Sequence, residues 1–157
     1  MFGPAAQTQA PPGKSVLRLD PALDAIISPD AKLETLKEDY FGFIEGPVWM
    51  PEPSGGYLLF SDIPANRVYK WDPKGGLSAF LEKSGFTGTD LPATNLIASG
   101  RLIVPLIGSN RLARDKEGRL LLCTHGDRTL WRLEKDGTTR TALAGQTCRA
   151  SSRPSSL

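Results

Sequence analysis

Gly56-Tyr-Leu-Leu-Phe-Ser-Asp62 returns 62 residues later, without a gap, as Gly118-Arg-Leu-Leu-Leu-Cys-Thr124. The match continues through Val68-Tyr-Lys-Trp-Asp72 and Leu130-Trp-Arg-Leu-Glu134, with Gly75 on Gly137 and Leu81 on Leu143. Like falls on like: Lys70 on Arg132, Asp72 on Glu134, aliphatic or aromatic residues on one another. Such self-similarity marks two copies of one supersecondary unit. Each copy reads as short strands joined by Gly and Asp turns, which is how a β-propeller blade is written. The chain is therefore expected to be all-β. Two blades fall short of the roughly four to eight that close a propeller ring.

Working outward from the repeat, the first blade reads as Glu45–Trp49, Tyr57–Ser61, Arg67–Trp71 and Leu77–Leu81. Its turns are Pro53-Ser-Gly-Gly56, Ile63-Pro-Ala-Asn66 and Asp72-Pro-Lys-Gly-Gly76. The second reads as Asn110–Arg114, Arg119–Thr124, Thr129–Leu133 and Thr139–Leu143. Blade one thus spans about 45–81, a connecting loop 82–109, and blade two about 110–143. Within the loop, Leu102-Ile-Val-Pro-Leu-Ile107 is expected to be a buried strand or an insertion. Before the first blade, Asp20 and Pro21 read as the cap and first position of a helical turn. Ala31-Lys-Leu-Glu-Thr-Leu36 alternates enough to suggest a strand. Residues 15–144 form the foldable part, between a Pro-rich leader (1–14) and a tail (145–157), both expected to be disordered. Truncation or an altered reading frame would explain that tail.

Composition narrows the function. The net charge of +2 comes from three tail-side arginines, Arg140, Arg149 and Arg153; residues 1–137 carry −1. No basic patch with interleaved aromatics supports nucleic-acid binding. No run approaches the ~20 apolar residues of a membrane span. The two cysteines lack metal-ligand spacing; Cys123 is expected to be a buried thiol and no disulfide to Cys148 is expected. The start lacks a signal-peptide core. Its Ala-Gln-Thr-Gln-Ala-Pro-Pro run resembles the mature end of an exported protein, which leaves the compartment open with a lean outward. Trp49, Trp71 and Trp131 are expected to pack between blades.

Several separated motifs, in order, carry a resemblance: Glu45-Gly-Pro-Val-Trp49, Leu59-Phe-Ser-Asp-Ile-Pro-Ala-Asn-Arg67, Gly108-Ser-Asn110, Asp115-Lys-Glu-Gly-Arg119 and His125-Gly-Asp-Arg128. Together they resemble the gluconolactonase / senescence-marker / luciferin-regenerating family, from about Ile44 to Leu143. The resemblance implies about two four-stranded blades of an incomplete six-bladed propeller. It also implies hydrolysis of a small lactone with one divalent metal, calcium or zinc, in the central channel. It makes Glu45 and Asn110 metal ligands. Strand order agrees, because both residues start the inner strand of their blade, and oxygen donors suit a hard cation.

Strand direction then places Asp62 and Asp127 at the same mouth, as candidate substrate contacts or as turn-holding carboxylates. His125, the only histidine, is the candidate base for a water activated by the metal. Two features depart from the family pattern. Arg111 follows Asn110 where the family has Gly, and the Ser-Pro-Asn-Asp motif of a third blade is missing. A non-catalytic fragment or binding module is the alternative, with self-association through unpaired blade edges.

Overall fold

The computed structural model describes residues 16–38, 40–90, 96–99 and 102–145. The expected leader (1–14) and nearly all of the tail lie outside the described residues, as does Cys148. The chain divides into two units at Tyr40/Phe41.

In the first unit a 3-10 helix spans Pro21–Ala25. Asp20 caps it as expected, its carboxylate accepting the Ala22 N–H at 2.7 Å. Arg18 adds an ion pair to Asp24 and donates to the Ile27 carbonyl at 3.2 Å. The strand expected at Ala31–Leu36 does not form. Alternation alone cannot hold a strand, which needs a neighbouring ladder to pair its backbone.

The second unit carries the repeat. β1 (Ile44–Met50), β2 (Tyr57–Asp62), β3 (Arg67–Asp72) and β4 (Gly76–Glu82) form an antiparallel sheet in chain order. β5 (Leu96–Ser99) and β6 (Leu102–Pro105) make a separate hairpin. β7 (Ser109–Arg114), β8 (Leu120–Thr124), β9 (Thr129–Leu133) and β10 (Arg140–Gly145) form the second antiparallel sheet. The two sheets match the expected pair of four-stranded meanders within a residue or two at each strand end. The connection between them differs from a plain loop, because it contains the hairpin. Ile103 in that hairpin is 63% exposed, so the expected buried strand is not buried.

Pleating sorts each sheet into two faces. Met50, Leu59 and Val68 of the first sheet meet Leu112, Leu120, Leu122 and Leu133 of the second in one core. Leu59, Val68 and Leu122 are fully buried, each contributing roughly 1.5–3 kcal/mol. Neighbours of opposite parity in the first sheet, Leu58, Phe60, Tyr69 and Trp71, lie on its other face, where Leu58 pairs with Trp71 and Phe60 with Tyr69. Phe41 packs edge-on against Phe60 and Tyr69, with centroids 5.2 and 5.1 Å apart.

Two sequence expectations fail through this parity. Trp49 pairs with Leu58 and so shares its outer face, 46% exposed, rather than filling the space between sheets. Trp71, paired with Leu58, also lies on the outer face; of the three tryptophans only Trp131 packs against the core. Cys123 is exposed rather than buried, because its fully apolar run places Leu122 inward and the next residue outward.

Candidate functional site

The first strands of the two sheets, β1 and β7, pack against each other. Ile44 and Glu45 of β1 stand opposite Asp62 and Ser61 of β2, while Ser109 of β7 stands opposite Thr124. Each inner strand shifts register just beyond, between Glu45 and Val48 and between Ser109 and Leu112. Such bulges re-aim side chains at strand ends. Gly46 lies inside the first bulge with φ +61, and a Cβ there would lie 2.2 Å from the Asn110 carbonyl oxygen. Only a residue without a side chain lets the backbones approach so closely. That approach makes Glu45 and Asn110 neighbours across the junction of the two sheets.

Both residues are half-buried. The Asn110 amide nitrogen donates to Nε2 of His125 at 3.2 Å. Nε2 must then carry the lone pair, which puts the neutral ring's proton on Nδ1. The backbone beneath the ring is held as well, since the His125 N–H donates to the Gly108 carbonyl at 3.1 Å. Among the described residues, neither the Glu45 carboxylate nor Asn110 Oδ1 has a hydrogen-bond or ion-pair partner.

Beneath this pair runs a buried hydroxyl network. Ser61 and Ser109, both fully buried, share a hydrogen bond of 2.7 Å across the junction, and the Ser109 N–H donates to Ser84 Oγ at 3.1 Å. The Gly108 N–H donates to the Ile63 carbonyl at 2.8 Å, and the Asp127 N–H to the Gly85 carbonyl at 2.7 Å. Asn66 accepts the Gly85 and Phe86 N–H groups at 2.8 and 3.1 Å and donates to the Phe86 carbonyl at 2.9 Å. Sequence reasoning overlooked these serines and treated Asn66 only as a turn residue. The signal that could have found them is the pair of glycines beside two of the serines, Gly85 after Ser84 and Gly108 before Ser109. The two backbones approach so closely that a Cβ on Gly85 would fall 2.1 Å from the Gly108 carbonyl carbon.

The remaining sequence candidates are tied to the chain. Asp62 is 2% exposed, and its carboxylate accepts the Gly42 N–H at 3.1 Å and the Ala65 N–H at 3.3 Å. It sits at the expected end of β2 and anchors the segment entering β1. Asp127 accepts the Thr87 N–H and hydroxyl at 3.1 and 3.0 Å, fastening the segment after β4 to the turn after β8. Asp62 holds its own turn through Ala65, one of the two readings its position allowed, whereas Asp127 pins a segment 40 residues away.

Among the described residues no group of three or more His, Cys, Asp or Glu gathers in one place. The junction offers one carboxylate and one amide oxygen. Both are hard donors of the type calcium takes, though calcium takes roughly six to eight. They fit as part of a coordination shell.

Residues 43–151 match the family described as the SMP-30/Gluconolactonase/LRE-like region, extending past Leu143, where the sequence motifs stop. A gluconolactonase of Zymomonas mobilis is 33% identical over 119 residues, covering 76% of this chain and 30% of its own length. The solved structure of a gluconolactonase from Xanthomonas campestris superposes with a TM-score of 0.56 at 27% identity, covering 83% of this chain and 35% of its own. The chain thus spans about a third of the length of the relatives it matches.

Proposed function

Because the chain belongs to the SMP-30/gluconolactonase/LRE-like family, we propose that it carries part of a lactone-hydrolysing site built on a β-propeller. In this reading Glu45 and Asn110 hold one divalent cation, calcium or zinc, at the junction of the two inner strands. The observation that supports it is the backbone approach of Gly46 to Asn110 across the junction, next to a Glu45 carboxylate and an Asn110 Oδ1 that have no hydrogen-bond or ion-pair partner among the described residues.

When bound, the cation supplies Lewis acidity, polarising a lactone carbonyl and lowering the pKa of a water. The chain's own residues do the rest. Glu45 provides the negative charge that favours a cation. His125 Nε2 accepts from the Asn110 amide nitrogen and so fixes which amide atom remains available to the site. To serve as a base, His125 must release that bond, so the geometry favours a positioning role. Hydrolysis adds water across the acyl carbon–ring oxygen bond and yields the hydroxy acid, with no redox change.

Calorimetric titration with calcium and with zinc tests the reading, with Glu45→Gln as control. Binding tighter than about 10 µM that the substitution abolishes supports it. Binding unchanged by Glu45→Gln overturns the ligand assignment. Lactone hydrolysis above the metal-only blank, lost in the same variant, extends the result to catalysis.

A further inference from the structure

At the end of β1 away from Glu45, roughly 15 Å along the strand at ~3.3 Å per residue, the two repeats differ. Trp49 pairs with Leu58 there as Arg114 of β7 pairs with Leu120. Eight residues, 50–57, lie between the first pair and five, 115–119, between the second, so the turn of the first sheet is three residues longer. In the second sheet Arg119 draws the shorter turn shut. Its guanidinium bonds Asp115 at 2.7 Å and Glu117 at 2.8 Å and reaches Glu134 at 3.5 Å. Tyr57 holds the repeat position of Arg119, and a neutral phenol with one O–H cannot gather three carboxylates.

The longer turn leaves a cleft of about 210 Å³ between itself and the turn joining β3 to β4. The half-exposed indole of Trp49 lines it. Gly56, with φ 116, lets the ring lie against the turn, since a Cβ there would fall 3.1 Å from the ring and 2.5 Å from the Met50 carbonyl oxygen. Glu52, Ser54 and Lys74 also line the cleft. Among the described residues the carboxylate, hydroxyl and ammonium of these three have no hydrogen-bond or ion-pair partner. Asp72, also in the wall, is already taken by the Lys74 and Gly75 N–H groups and by Lys70 at 3.6 Å.

We propose that this cleft is a second binding site and that it takes one neutral sugar ring. The face of an indole is apolar and carries the negative part of its quadrupole, which suits the C–H face of a pyranose. A carboxylate accepts from sugar hydroxyls, an ammonium donates to them, and a serine does either. Charged ligands are disfavoured from both sides, because Glu52 repels anions and Lys74 repels cations. Size agrees. At ~30 Å³ per water the cleft holds the volume of about seven waters, and it falls below the roughly 300–1,000 Å³ of sites for larger ligands. That is room for one ring and not for two. The same ring chemistry belongs to a free monosaccharide and to the end of a glycan chain. The cleft lies at the far end of β1 from Glu45, so it stands whether or not the lactone reading does.

Saturation-transfer NMR on the full chain, without added metal, tests this with D-glucose, D-galactose and methyl β-D-glucopyranoside. Tetramethylammonium and inorganic phosphate serve as charged comparisons. Millimolar binding of at least one sugar is expected, weakened about tenfold by Trp49→Ala and about threefold by Glu52→Gln. Glu52→Gln keeps the shape of an exposed side chain, so it decides the matter should Trp49→Ala fail to fold. Glu45→Gln should leave sugar binding unchanged; a loss there would put the sugar at the junction and overturn the assignment. A methyl glycoside that binds as well as free glucose supports the site with a chain end as its source, and binding of the free sugars alone supports it with a monosaccharide. No sugar signal at about 50 mM, binding that both cleft substitutions leave intact, or a charged probe that binds more tightly than every sugar overturns the proposal.

Discussion

The two sheets are built from one pattern yet hold their turns differently. After β2 the chain passes through Asn66 with φ 56, and after β8 through its repeat counterpart Arg128 with φ 52. The left-handed backbone is the same in both; the side chain is not. Asn tolerates this region, whereas for a long side chain entering it costs roughly 1–2 kcal/mol. Asn66 also grips the backbone of Gly85 and Phe86 through three hydrogen bonds. Backbone geometry recurs where the pleat and turn demand it. Side-chain chemistry diverges where a residue takes on a second task, here fastening one sheet to the segment that leads to the next.

The comparison breaks most sharply in the core. Leu122→Ala empties a fully buried position between the sheets and is expected to cost about 2–5 kcal/mol. Leu121→Ala, one residue away on the half-exposed outer face, should cost under about 1 kcal/mol. Urea unfolding of the two variants checks the difference; equal losses would mean the faces are misassigned.

The turn pair comes next. Asn66→Ala should destabilise by about 1–3 kcal/mol through its lost hydrogen bonds. Arg128→Gly should raise stability by up to about 1 kcal/mol as backbone strain is relieved. Opposite signs in thermal or urea unfolding sharpen the contrast, and a loss in both would remove it.

The smallest effect lies in the exposed hairpin turns. Asp136 accepts the Thr138 and Thr139 N–H groups and pairs with the Thr139 hydroxyl. These bonds, the hydroxyl's above all, lower its carboxyl from the ordinary 3.8 to about 2. Asp72 fills the matching turn of the first sheet, and the Lys74 and Gly75 N–H groups hold its carboxyl low as well. A depressed carboxyl stabilises the fold above its unfolded pKa and loses that contribution as pH falls through the folded value. Asp136→Asn should therefore flatten the fall of stability between about pH 4 and pH 2, measured by urea midpoints across that range. An unchanged slope would show that the turn contributes nothing to acid sensitivity.

Much of this was legible in the chain. The repeat, the Gly and Asp turns and the apolar runs predicted eight strands in two meanders, because strand periodicity and turn chemistry are local. The resemblance carried the family, and strand order alone brought Glu45 and Asn110 to the same end of successive inner strands. The facing of Trp49, Trp71 and Cys123 was not legible, since a run apolar at every position does not say which face is inner. The strand expected at Ala31–Leu36 failed for a related reason: its pattern was local, and its partner had to come from elsewhere.

The sequence by itself determined the strands, their turns and the family, through short-range periodicity and residue type. Only the tertiary structure decided which face of each sheet is buried, that Gly46 meets Asn110, that Asn110 holds His125, and that Asp62 and Asp127 bind backbone from distant segments. Those outcomes depend on backbone approach between segments tens of residues apart, and no local pattern encodes the distance across which two strands come to rest.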